Sequence, residues 1–161
     1  MAGFDRSDRG NAGGGIQMSG NAEVEAFLDR YRAAFETFDA SAIVDRFELP
    51  CQVTGDADEV GSTVVATRES WLRQVEQLLA AYRAIGVRSA AILDLQVTEL
   101  TPRLAVAAVE WRLVDQTRRP IYDFKAAYTL GDFGAGLRIA AIAHNETPRL
   151  RAAMARAGGA K

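Results

Sequence analysis

Apolar residues recur along the first half of the chain at steps of three and four. Val24, Phe27, Leu28, Tyr31, Phe35 and Phe38 fall on one stripe of a helix over residues 22–37. Asp39 is placed to cap a second, short helix whose inward residues are Ile43, Val44 and Phe47. Pro50 stops that helix, because the residue before a proline avoids the helical region. A short strand near 51–54 and a Gly/Asp-rich turn at 55–61 follow. Thr67 then caps a third helix that carries Trp71, Leu72, Val75, Leu78, Leu79 and Tyr82 on one face, and Gly86 closes it.

From Val87 onward the period changes to two. The alternation predicts strands near 88–99, 104–115, 121–130 and 137–145, separated by TPR, a QTRR turn and a GDFGAG loop. Apolar residues of neighbouring strands must share a face, and a one-residue slip reverses every side chain. A tight turn at 116–119 pairs Trp111 with Phe124 and Val109 with Ala126. A loop at 131–136 pairs Tyr128 with Ile139 and Phe124 with Ala143. The same register sets Glu110 opposite Lys125, Arg112 opposite Asp123, and Asp123 opposite His144 on the other face, so opposite charges meet across three strands. The expected fold is α+β: three N-terminal helices packed on a curved antiparallel sheet.

Composition narrows the partners. A chain of 161 residues at 48% hydrophobic holds one core, and a domain of this size buries roughly 70% of its unfolded surface. Lys and Arg number 19 against 21 acids, and no basic stretch interleaves with aromatics, so nucleic acid is not an expected partner. Residues 1–20 hold glycine and no apolar run, so they read as a disordered leader rather than a secretory or membrane segment. A tail at 148–161 offers one or two helical turns, with Arg149, Arg151 and Arg156 on a solvated face. Cys51 is the single cysteine, which leaves no intramolecular disulfide and no multi-cysteine metal site, and a cytoplasmic location is the default. The acids Asp56, Asp58 and Glu59 lack the fixed geometry a metal needs, so no metal site is expected.

Helix, helix, short strand, helix and curved meander resemble the nuclear-transport-factor-2-like superfamily, the cystatin-like cone fold, in its SnoaL-like branch. RYRAAFETFDASAIVDRFELPCQV at 30–53 resembles the opening helix pair and first strand. AVAAVEWRLVD at 105–115 resembles the tryptophan-bearing strand, and LRIAAIAHNE at 137–146 the closing strand. The resemblance spans residues 21–147 and implies a pocket between helices and sheet that works without a cofactor. Members include isomerases, dehydratases, cyclases, epoxide hydrolases and binding modules, so fold alone does not set function. By similarity to ketosteroid isomerase, Tyr31 falls at the oxyanion-stabilising tyrosine. The general-base aspartate falls on Gly55, next to Asp56, and the late-strand acid near Ala126. The dehydratase pattern has more than one pocket histidine where this chain has His144 alone, and the Arg112/Asp123 row with Glu110 is similar in kind to the epoxide hydrolase cluster.

Tyr31, Trp111, Phe124 and Tyr128 are the expected pocket residues, set between a purely core role and a ligand-lining one. His144 beside Asp123 would form an oriented imidazole. With Tyr31 these two complete the catalytic candidates, although parity puts the His144/Asp123 pair on the face away from the helices. Cys51 reads as a small buried hydrophobe. Two functions remain open. One is a small-molecule pocket protein acting as a cofactor-independent lyase, isomerase or hydrolase on a hydrophobic substrate; the other is a non-catalytic dimeric ligand-binding or accessory domain. The homodimer is expected through the outer sheet face of Val106, Ala108, Ala127, Thr129, Ala140 and Ile142.

Overall fold

Helix α1 (Met18–Glu36) forms along the apolar stripe and buries Val24, Phe27, Leu28 and Tyr31. The computed structural model describes residues 18–159, so the expected leader lies outside the described residues except for Met18–Gly20, which open α1. Asp39 caps α2 (Ala40–Val44) by accepting a hydrogen bond from Ala42 N at 3.0 Å, and Thr67 caps α3 (Arg68–Ala84) through Ser70 N at 3.2 Å. Gly86, at φ +83°, ends α3 in the left-handed region open to glycine.

Six strands follow the spatial order β2-β1-β6-β5-β4-β3. The meander consists of β3 (Ser89–Thr101), β4 (Leu104–Val114), β5 (Pro120–Asp132) and β6 (Leu137–His144). Strand β1 (Phe47–Asp56) is longer than expected and contains Pro50, so α2 ends at Val44 without the proline's help. The turn expected at 55–61 is the bend of a hairpin to β2 (Val60–Val65). Five of the six β2 residues are exposed, so the strand has no alternation to read. Because β1 pairs parallel with β6, the sheet is mixed rather than wholly antiparallel.

Strands β4 and β5 pair in the expected register, with Trp111 opposite Phe124, Glu110 opposite Lys125 and Arg112 opposite Asp123. The β5–β6 register differs. Leu130 pairs with Ile139 and Thr129 with Ala141, which leaves Ala140 as an extra residue. Beyond this bulge Tyr128 faces Ile142 and Ala126 faces His144. The expected pairs Tyr128/Ile139, Phe124/Ala143 and Asp123/His144 do not form, because pairing runs on to Asp132/Leu137 at a tighter turn, which moves the register by two, and the inserted residue then reverses the phase of everything after it. Similar irregularities in β1, β3 and at the β4–β5 turn bend the sheet around the helices. The end of β6 runs into α4 (Glu146–Gly158), which starts two residues before the expected tail and packs through Ala153.

Ala107 is fully buried on the concave face of β4, whereas Ala108 is exposed on the outer one. Ala107→Leu is expected to cost about 1–3 kcal/mol by overpacking, and Ala108→Leu under about 0.5 kcal/mol, in chemical denaturation. Equal costs would put β4 in the opposite phase.

Candidate functional site

Between α1, α3 and the concave face of the sheet lies a cavity of about 120 Å³. An engineered cavity of about 150 Å³ accepts benzene, so the space suits a single ring or its equivalent. Tyr31 and Phe35 approach from α1, Trp71 and Tyr82 from α3, and Trp111, Phe124 and Tyr128 from β4 and β5; Arg88 and Ser89 border it from the loop after α3 and the start of β3. His144 and Glu146, on either side of the junction between β6 and α4, add two titratable groups.

Glu146 is the buried charged residue of the described chain, at 9% exposure. Its Oε1 accepts hydrogen bonds from the Tyr82 hydroxyl and, at 2.8 Å, from the Tyr122 hydroxyl. Among the described residues no group donates to Oε2. Burial lifts the carboxyl above its usual range, and the two tyrosine hydrogen bonds oppose that rise. Both tyrosines are themselves held well above their ordinary value, first by burial and then by the nearby carboxylate, so they stay protonated donors.

Deeper along the concave face, Trp111 Nε1 donates to the Tyr128 hydroxyl at 2.9 Å. Tyr31 meets Tyr128 edge to face with ring centroids 5.8 Å apart, and burial keeps both hydroxyls protonated. Tyr31, Trp111, Phe124 and Tyr128 therefore border one cavity.

The bulge at Ala140 moves His144 to the concave face, opposite Ala126 and beside Gly55 of β1. Its Nδ1 accepts the backbone N–H of Glu146 at 3.2 Å, and burial holds the imidazole below its usual pKa. A Cβ built on Gly55 would lie 3.4 Å from His144 Cε1. Asp123 stays on the outer face, forked onto Arg112 by two 2.8 Å hydrogen bonds that lower its carboxyl below the usual range. The expected His144/Asp123 pair is thus split between opposite faces, and the imidazole's neighbour in the cavity is Glu146. Sequence reasoning put Tyr82 on the apolar face of its helix but gave no role to Glu146 or Tyr122. A signal was present in the closeness of Glu146 to His144, two residues on, where β6 gives way to α4. The phase of β6 concealed that His144 faces the cavity.

Cys51 is 1% exposed, and burial raises its thiol, which suits a packing role. Among the described residues no group of three or more His, Cys, Asp or Glu is placed to hold a metal ion, and no helix is long and apolar enough to cross a membrane.

The likeness to known proteins agrees with this architecture. A function-unknown protein from Mycobacterium tuberculosis superposes with a TM-score of 0.64 at 16% identity, over 92% of this chain and 94% of that one. An NTF2-like protein with a cystatin-like fold from Novosphingobium aromaticivorans gives 0.63 at 16% identity, over 86% and 90%. A ketosteroid isomerase-like protein from Erwinia carotovora atroseptica gives 0.58 at 14% identity, over 77% and 93%. At these identities the likeness shows the fold alone. No curated protein matches the sequence. The family model described as NTF2-like protein (DUF6841) matches residues 22–147, the span from α1 to the first residues of α4, and the chain belongs to that NTF2-like family.

Proposed function

We propose that the chain binds a small hydrophobic molecule in the cone cavity and acts on it by proton transfer, as a cofactor-independent lyase or isomerase would. The observation that carries this is Glu146, a carboxyl group in an apolar cavity with one oxygen fixed by two tyrosines and the other unclaimed by any described residue. Its raised pKa brings the group nearer neutrality, where an acid or base can both give and take a proton. Tyr31 and Tyr128 add protonated hydroxyls suited to stabilising a developing oxyanion. The hydrolase alternative has less support, because Arg112 and Asp123 lie on the outer face. A second reading, a non-catalytic binding domain, draws on the same tyrosine clamp, since a carboxyl satisfied in this way also serves as a core polar network.

The outer face supports a proposed homodimer, though Ile142 now points into the cavity and leaves Val106, Ala108, Ala127 and Thr129 at its centre. Static light scattering at micromolar concentration should give twice the chain mass, and Ala127→Glu should halve it. A monomer mass for the parent chain would refute the dimer.

A buried carboxyl with a raised folded-state pKa contributes most to stability below its unfolded pKa of about 4.3, and that contribution is lost as pH rises through the folded value. Glu146→Gln keeps an acceptor for both tyrosines without the charge. The variant should therefore gain in melting temperature over the parent between pH 4 and pH 8, while Glu146→Ala should lose about 2 kcal/mol or more by orphaning two hydroxyls. A parent chain that outlasts the Gln variant at pH 8 would show that the charge is well solvated in place.

Tyr31→Phe separates the two functions. If the hydroxyl stabilises an oxyanion, its removal should lower turnover about 10²–10³-fold. A merely structural hydroxyl should cost roughly 1 kcal/mol of stability and leave ligand affinity, measured by calorimetry across hydrophobic ketones, epoxides and aromatic compounds, unchanged.

A further inference from the structure

Two side chains that border the cavity carry an N–H that no described residue accepts. Trp71 borders it, and the Trp71 Nε1–H is buried with no acceptor among the described residues. His144 supplies a second donor by a chain of exclusion. Its Nδ1 accepts the Glu146 backbone N–H, so Nδ1 carries no proton and the neutral ring bears its hydrogen on Nε2. No described residue accepts from that Nε2–H. On the acceptor side, Glu146 Oε1 is already taken twice and the Tyr128 hydroxyl already receives Trp111, while Glu146 Oε2 is left without a donor among the described residues. Trp111 gives the contrast: the same side chain, on the same cavity, with its N–H satisfied inside the protein. Arg46 Nε, the other buried donor without a partner, belongs to a residue that does not border the cavity.

Buried N–H groups in folded chains are almost always paired. An orphan on a side chain that borders a cavity is therefore a statement about what the cavity takes. We propose that it takes an uncharged apolar molecule bearing carbonyl-type oxygen, held by Trp71 Nε1–H and the Nε2–H of His144. A carbonyl oxygen brings two lone pairs and no donor of its own, which matches two N–H groups with no acceptor. A carboxylate ligand would face the Glu146 charge, and an ammonium would find Oε2 alone while both N–H groups stayed unpaired. This inference rests on the cavity being a ligand site and names the class of molecule within it.

The chain contains two tryptophans and one histidine, so the ¹⁵N-labelled full-length protein gives two indole signals and one imidazole, and each donor reports separately. Cyclohexanone and methylenecyclohexane, alike in shape but differing in the acceptor oxygen, are the probes. Cyclohexanone should bind about tenfold more tightly than the alkene, the effect of a gained hydrogen bond. It should move the Trp71 indole proton downfield and shift His144 Nε2, while Trp111 stays in place as the internal standard. His144→Gln, which keeps a donor at the ε position, should retain the preference for the ketone, and His144→Leu and Trp71→Phe should each reduce it. Equal affinity for the two probes would overturn the donor assignment and leave the cavity standing, as would ketone binding that moves neither signal. If neither probe binds, the cavity reading falls together with it.

Discussion

A carboxyl group taken out of water must find compensation nearby or give up its charge. Glu146 meets that demand by drawing three elements to one oxygen. Tyr82 reaches it from the last turns of α3, Tyr122 from the first residues of β5, and Glu146 itself opens α4, where the helix dipole favours negative charge. The layers of the fold are thereby tied at the end of the cavity where β3 begins and β4 ends. The outlines of the pocket follow from where those tyrosines must stand. Phe35 lies against Tyr82, and Tyr122 against Phe124, each pair with ring centroids 6.2 Å apart.

The sheet contributes through its irregularities as much as through its pairing. Without the extra residue at Ala140, strict alternation from Ile139 would send Ile142 and His144 to the outer face. With it, a two-residue step from His144 to Glu146 carries both groups to the concave side and lets the Glu146 backbone set the tautomer of the imidazole. A bulge near a site commonly re-aims a side chain in this way.

Local rules served well where the physics is local. The caps at Asp39 and Thr67, the stop at Gly86 and the β4–β5 register depend on neighbours a few residues away or on one tight turn, and the sequence carries them openly. Tyr31, Trp111, Phe124 and Tyr128 could be grouped because each lies on an unbroken stripe or strand. Strand β2 escaped because its pairing with β1 buries almost nothing. The partner of His144 escaped because a bulge in an alanine-rich stretch leaves no mark in the apolar pattern: Ala140 and Ala141 look alike whichever of them is the extra residue. Glu146 gained its meaning only from Tyr82 and Tyr122, 64 and 24 residues away.

Gly55 and His144 sit side by side where β1 runs parallel to β6, and the imidazole edge occupies the ground above the glycine. An alanine at 55 would touch the ring in ordinary contact, but a longer side chain would contest its volume. The two strands thus share one parcel of space that only one of them can fill. Diversification within this architecture has an exchange available to it, in which a functional group moves from the closing strand to the opening one while the cavity wall keeps its shape. The two substitutions would have to arrive together or pass through a glycine.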